Sequence, residues 1–114
     1  MTIQYENQGF NLTATTTTTI LTAPTTGRLL IKQIQATNGS NGALSLVTQI
    51  VDTSASSAVF RIGNQSIPAN STLDIITNVL VLEEGDIIKM TCSTANEIQG
   101  IISYALLDRS QENG

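Results

Sequence analysis

The chain is divided into short segments in which apolar and polar residues alternate, each bounded by Gly, Pro, Asn, Asp or Ser. Alternation with a period of two is typical of β-strands, whereas an amphipathic helix repeats its apolar residues about every 3.6 positions. No stretch of ten or more residues shows the helical spacing. About seven to eight strands, spaced about ten residues apart, predict an all-β protein built as an antiparallel two-sheet β-sandwich with a jelly-roll-like arrangement.

The composition agrees with this fold class. Of the 114 residues 40% are hydrophobic, and Ile, Leu and Val supply most of them because only 4% are aromatic and Trp is absent. β-branched residues fit the pleated surface of a sheet, and the abundant Ser, Thr, Asn and Gly favour turns. A chain of this length forms a single domain that can bury a core of its own.

The strand predicted over residues 28–38 does not keep one alternation. Leu29, Leu30, Ile31 and Ile34 fall on both faces of a regular strand. This departure predicts either a β-bulge or a strand that is buried on both sides. Two Asn-Gly pairs follow at residues 38–39 and 41–42, and they predict a hairpin because both residue types tolerate a positive φ.

The alternation also selects a core. The side chains expected to be buried between the two sheets are Leu44, Leu46, Ile50, Phe60, Ile62, Ile88, Met90, Ile102 and Tyr104.

The chain is predicted to consist of an extended arm over residues 1–19, a β-sandwich over residues 20–108 and a flexible tail over residues 109–114. The arm ends in five consecutive threonines, which form the candidate interface: Thr15, Thr16, Thr17, Thr18 and Thr19. A threonine run has high β-propensity but buries little apolar surface. Two interpretations are open, a mobile connector or an exposed edge strand that pairs with a neighbouring subunit.

Residues suited to catalysis are scarce. Histidine is absent, which removes the commonest general base and metal ligand. Cys92 alternates in step with Ile88 and Met90 and is interpreted as a small buried hydrophobe, and a single cysteine excludes an internal disulfide. The sequence therefore predicts no catalytic residue, no cofactor and no enzyme.

Three carboxylates stand together in one turn, at Glu83, Glu84 and Asp86 beside Gly85. Oxygen ligands in a glycine-containing loop can hold a hard cation such as calcium. The alternative, which we prefer, is a solvated turn at the end of the sheet, so no metal site is predicted.

The charge distribution excludes some partners. The formal net charge is −4, and the five cations are spread along the chain. A nucleic-acid surface requires clustered cations, and an anionic membrane surface attracts basic segments, so neither partner is expected. No apolar run reaches the length of about 20 residues needed to span a membrane, and the first residues lack the features of a secretory signal, which predicts synthesis in a cytosol.

The order of motifs over residues 20–107 resembles the small β-sandwich proteins in the structural gene clusters of tailed bacteriophages. Residues 82–88 read Leu-x-x-Gly-Asp-x-Ile, in which Gly85 is expected to reverse the chain and Asp86 to cap the turn. The segments that carry the likeness are residues 20–24, 30–38, 67–73, 80–89 and 101–104.

This resemblance implies a virion component made in the host cytoplasm: a capsid decoration or cement protein, a neck or tail accessory, or a fibre-tip module. Its partners would be other virion proteins and further copies of itself. The competing hypothesis is a receptor- or glycan-binding module of a fibre or surface adhesin, and a minor hydrolase is the third. The first hypothesis predicts that residues 1–23 contact a neighbouring subunit or a partner protein, because residues 13–23 contain no charge that would block an edge.

Overall fold

The computed structural model describes residues 2–76 and 78–108, and for Thr2 it describes the backbone alone. The described residues form nine β-strands and one short 3-10 helix, Thr53–Ala55. The strands are β1 Thr2–Leu12, β2 Thr18–Thr22, β3 Gly27–Asn38, β4 Leu44–Asp52, β5 Ala58–Ile67, β6 Ser71–Ile76, β7 Leu80–Leu82, β8 Ile87–Cys92 and β9 Ile98–Asp108. None of the described elements is a helix long and apolar enough to cross a membrane.

The strands form two packed antiparallel sheets. Sheet A has the order β1-β9-β3-β6, with β7 also paired to β3, and sheet B has the order β2-β8-β4-β5. The chain passes from one sheet to the other between β1 and β2, β2 and β3, β3 and β4, β5 and β6, β7 and β8, and β8 and β9. Sheet A thus has five strands, of which β6 and β7 both pair with β3, and sheet B has four. Two antiparallel sheets wound together in this way form a jelly-roll-like sandwich, so the predicted fold class is confirmed.

The connections close the sandwich at both ends. At the upper end, which comprises residues 13–17, 39–43, 68–70 and 93–97, Gly39 N donates to Glu97 O at 2.9 Å and Asn96 N donates to Leu12 O at 2.8 Å. At the lower end, which comprises residues 23–26, 53–57 and 83–86, Ala23 N donates to Asp86 O at 2.8 Å. These bonds satisfy backbone groups that the sheet ladders leave unpaired.

The core lies between the sheets, and most of the prediction for it is confirmed. Leu46, Ile88, Met90 and Ile102 are fully buried, and Tyr104 is nearly so. The predicted residues Leu44, Ile50 and Ile62 are half-buried. Further core residues that the prediction did not include are Leu12, Leu21, Ala23, Leu29, Ile31, Ile34, Ala36, Ile67, Leu82 and Ile98.

The prediction that Phe60 is a core residue is wrong, because 53% of it is exposed. Phe60 lies on β5, the outermost strand of sheet B, where no further strand covers it. The pairing of β4 with β5 also shifts register beside it, between Thr48 and Gln49, which leaves Ile62 without a partner. Phe60 pairs with Ile50, which pairs with the buried Ile88, so Phe60 keeps the inner side that the alternation predicts. The ring is exposed because it lies at the edge of the sheet.

The bulge predicted in β3 is confirmed and lies at Lys32. Ile31 pairs with Tyr104 and Gln33 pairs with Ser103, so that Lys32 has no partner in β9. The extra residue reverses the alternation and lets both halves of the strand face the core.

The hairpin predicted from the two Asn-Gly pairs is wrong. β3 belongs to sheet A and β4 to sheet B, so the connection crosses between the sheets. Asn38 is fully buried there, and its Nδ2 donates to Gly42 O at 2.9 Å, to Ile67 O at 3.0 Å and to Pro68 O at 3.3 Å. The buried Asn38 amide therefore joins the β3–β4 connection to the β5–β6 connection. A residue of a simple hairpin turn would not have this role.

Candidate interaction surfaces

A group of three carboxylates stands at the lower end of the sandwich. Oxygens of Asp52, Glu83 and Asp86 lie within 4.8 Å of one another. Two of these residues belong to the predicted turn, but the third predicted member, Glu84, accepts a hydrogen bond from Arg28 Nε at 2.9 Å. The sequence pointed to Glu83 and Asp86 because they belong to the same turn, whereas Asp52 joins them only through the packing of the β4–β5 connection.

The oxygens of two of these carboxylates already accept hydrogen bonds. Asp86 is 3% exposed, and it accepts from Thr53 N at 3.2 Å, from Thr53 Oγ1 at 3.3 Å and from Glu83 N at 3.0 Å. Asp52 accepts from Ser54 N at 3.1 Å and from Ser54 Oγ at 2.7 Å. The turn is therefore not simply solvated: Asp86 ties two connections of the lower end together.

Calcium should leave the melting temperature of this protein unchanged. A bound ion stabilises the folded state in proportion to its affinity, but here a cation would compete with backbone and hydroxyl donors for Asp52 and Asp86. Thermal unfolding followed by circular dichroism, with calcium in one sample and chelator in the other, measures this. A rise of several degrees with calcium would contradict the interpretation of these carboxylates as structural.

The threonine run divides between a loop and a strand. Thr15 and Thr16 lie in a bend at the upper end, Thr17 follows the bend, and Thr18 and Thr19 begin β2. Thr17 Oγ1 lies 2.9 Å from Thr91 Oγ1 of β8, and Thr18 pairs with Met90. β2 is the edge strand of sheet B, so its other side has no strand beside it among the described residues.

A row of apolar residues crosses the outer face of sheet A. Tyr5 pairs with Ala105, Ala105 with Leu30, and Leu30 with Val81, so these side chains share one face of β1, β9, β3 and β7. Tyr5 is 78% exposed and Val81 is 45% exposed at the two ends of this row, whereas Leu30 is half-buried and Ala105 is buried between them. Spacing along the chain does not reveal this row, because strand pairing brings the four residues together.

The edges of the two sheets differ in how they are protected. β2, β5 and β6 each have a register shift against their neighbour, and β5 and β6 also carry the charged residues Arg61 and Asp74. β1 pairs with β9 over eleven consecutive residues without any shift. Its one charged residue, Glu6, accepts a hydrogen bond from Tyr104 Oη at 3.1 Å.

Burial, together with that hydrogen bond and the negative charge of Glu6, raises the pKa of Tyr104 above its ordinary value. Tyr104 therefore remains the donor at neutral pH. This contact holds Glu6 on the inner side of β1. All other residues of β1 are uncharged.

No protein-family model matches the chain, and the search of curated proteins finds no match. Solved structures do resemble it. The infectious bursal disease virus T13 particle has a chain with a TM-score of 0.56 and 12% identity; the match covers 91% of this chain but 30% of the viral one. A chain of the virus-like particle of the extra small virus of the prawn Macrobrachium rosenbergii gives a TM-score of 0.50 and 10% identity. The match covers 92% of this chain and 77% of the viral one.

Not all neighbours are viral. The core of a Drosophila NLP protein, whose structure bears on pentamer formation and histone binding, gives a TM-score of 0.56 and 15% identity, with 92% and 99% of the two chains covered. At these identities the likeness establishes the fold. Capsid proteins recur among the neighbours beside other β-sandwich proteins.

Proposed function

We propose that the chain is a non-enzymatic structural component of a tailed-phage virion, docking in multiple copies on the capsid as a decoration or cement protein, or on the neck–tail assembly. The observation that carries this proposal is the apolar row across the outer face of sheet A, between Tyr5 and Val81. The resemblance of the motif order to phage structural proteins supports it, and so does the recurrence of capsid proteins among the structural neighbours.

The row suits docking because a partner that covers it removes the exposed apolar surface of Tyr5 and Val81 from water. Covering a large exposed apolar side chain stabilises a contact by about 1.5–3 kcal/mol, which is modest for one subunit. When many symmetric copies bind to one particle, each contact needs no larger free energy than this, because neighbouring copies hold one another in place. The outer face of a sheet offers such a surface without any change in the core.

The interface role of the threonine run belongs to the same proposal. Residues 15–17 are exposed at the upper end, and Thr18 and Thr19 lie on an edge strand. Their hydroxyls and backbone groups can bond to a neighbouring subunit or to the capsid by strand addition. Removing residues 1–21 would test this poorly, because it would take an edge strand from each sheet.

A charge on the apolar row tests the docking proposal. Val81→Lys should weaken attachment to phage particles that have been stripped of the protein, by about tenfold or more, because docking would bury an unpaired ammonium group. Val59→Lys is the matched control, since Val59 is 54% exposed on sheet B. Co-sedimentation measures attachment, and circular dichroism checks that both variants fold. Equal attachment of Val81→Lys and wild type would overturn this docking surface.

The second candidate is a receptor- or glycan-binding module. The exposed aromatic rings of Tyr5 and Phe60 favour it, because sugars stack on flat apolar rings. Glycan-array binding that is lost in Phe60→Ala and kept in Val59→Ala would support this candidate. Such binding would also contradict a role in which the chain contacts only other virion proteins.

A further inference from the structure

β1 is an unprotected sheet edge. It is eleven residues long, pairs with β9 in unbroken register and contains neither proline nor a bulge. Edge strands of this kind expose a row of backbone donors and acceptors, which proteins either block or use for pairing. Glu6 is the one inward-pointing charge of β1, a device that can protect an edge, but it accepts a hydrogen bond from Tyr104 Oη of β9 and is held against its own sheet.

We propose that β1 pairs with β1 of a second copy of this chain, antiparallel and about a twofold axis, so that two sheets A join into one continuous sheet. The identity of the occupant follows from the side chains of β1. Apart from Glu6 the strand is uncharged, and a strand of an identical copy meets it without introducing a foreign charge. A twofold contact of this kind is self-complementary by symmetry.

The charge distribution selects the antiparallel direction. The lower end carries Asp52, Glu83, Glu84 and Asp86 against the cation Arg28, which pairs with Glu83 and Glu84, so this end is acidic. β1 begins at the same end because Thr2 pairs with Asp108. A parallel pair would set the two acidic ends side by side, with like charges opposed. An antiparallel pair places them at opposite ends of the joined sheet, where solvent and salt screen them.

The side chains also select a register, with Asn7 opposite Asn7 of the second copy. Centring the pair on Glu6 instead would oppose two carboxylates, which is unfavourable for directly facing residues. Centring it on Asn7 sets Tyr5 opposite Gly9 of the second copy. A Cβ atom at Gly9 would meet only Gly100 O at 3.9 Å, so there is room for the Tyr5 ring.

The same combination already occurs within the chain. Phe10 pairs with Gly100 of β9, and its ring lies close enough to overlap any Cβ atom placed on that glycine. An aromatic ring that covers a glycine on the neighbouring strand supplies the packing that the glycine lacks. The proposed dimer would repeat this arrangement at its own interface with Tyr5.

This inference deepens the proposed function, because it names one contact between the copies of a multicopy protein. Its test uses the purified full-length chain in solution, so that it does not depend on attachment to a particle. Sedimentation velocity over a concentration series measures the mass of wild type, of Asn7→Lys and of Asn64→Lys. Asn7 and Asn64 are both exposed strand residues, and Asn64 lies on β5 at the far edge of sheet B.

Wild type and Asn64→Lys should sediment as dimers. Asn7→Lys should raise the dimer dissociation constant by about tenfold, because it opposes two ammonium groups across the axis. An equimolar mixture of Asn7→Lys and Asn7→Asp should recover the dimer, which only a contact between the two copies of residue 7 explains. A monomeric wild type, or a dimer that Asn7→Lys leaves intact, would overturn the proposal.

Discussion

Gly100→Ala should destabilise the protein by about 3 kcal/mol or more, which is at the upper end of the cost of overpacking. Gly100 lies on β9 and pairs with Phe10 on one side and Ala36 on the other. A Cβ atom at this position would overlap the carbonyl oxygen of Gln35 and the ring of Phe10. The Phe10 ring can rotate away, but the carbonyl belongs to the backbone of a neighbouring strand and cannot.

Gly9→Ala is the matched control for this substitution. Gly9 lies on the adjacent strand, and a Cβ atom there would make only an ordinary contact with Gly100 O. Urea unfolding followed by circular dichroism gives both free energies of unfolding. The protein concentration is kept low enough for both variants to sediment as monomers, so that a contact between copies at Gly9 does not contribute. If Gly100→Ala and Gly9→Ala lose the same stability, the close approach of β3 to β9 at Gly100 is not as described.

Ile102→Ala should lower the free energy of unfolding by about 2–5 kcal/mol, the usual cost of a large-to-small change in a core. Ile102 is fully buried on β9, which lies between β1 and β3. The substitution leaves a cavity that the surrounding strands cannot close, because their backbones are held by ladder hydrogen bonds on both sides.

The neighbouring residue provides a control of the same type. Ile101 is 38% exposed on the opposite face of the same strand, so Ile101→Ala should cost less than about 1 kcal/mol. The same urea unfolding series measures both variants. A smaller loss for Ile102→Ala than for Ile101→Ala would reverse the assignment of faces on β9.

The sequence predicted the strands that face a core on one side, because their alternation is strong. Residues 1–19 were predicted as an extended arm, and β1 covers Thr2–Leu12 within this range. The inner positions Gln4, Glu6 and Gln8 are polar and exposed, since this part of an edge strand has little of the opposite sheet above it. Hydrophobic alternation therefore carried no signal there. The predicted boundary at residue 20 stays a prediction, and the predicted tail over residues 109–114 lies outside the described residues.

Errors arose where a local signal competed with the topology. The Asn-Gly pairs at residues 38–42 indicate a hairpin locally, but β3 finds its partners in β9, β6 and β7. Phe60 continues an alternation whose inner face ends at the sheet edge. In both cases strand order decided the outcome, and strand order depends on contacts between distant segments.

The candidate surfaces could be predicted only in part. The turn that brings Glu83 and Asp86 together is local and was found, whereas the contribution of Asp52 requires the packing of two connections. The apolar row requires the registers of three strand pairs, and no spacing along the chain encodes them. Surfaces built by strand pairing therefore remain hidden until the sheet is known.

Cryo-microscopy of the purified phage particle tests the central claim most directly. The account predicts density for this jelly roll at symmetry-related positions on the capsid or the neck–tail assembly. It also predicts that the outer face of sheet A, with Val81, is turned toward the protein beneath. Particles that lack the chain, or that carry it with this face toward solvent, would contradict the account.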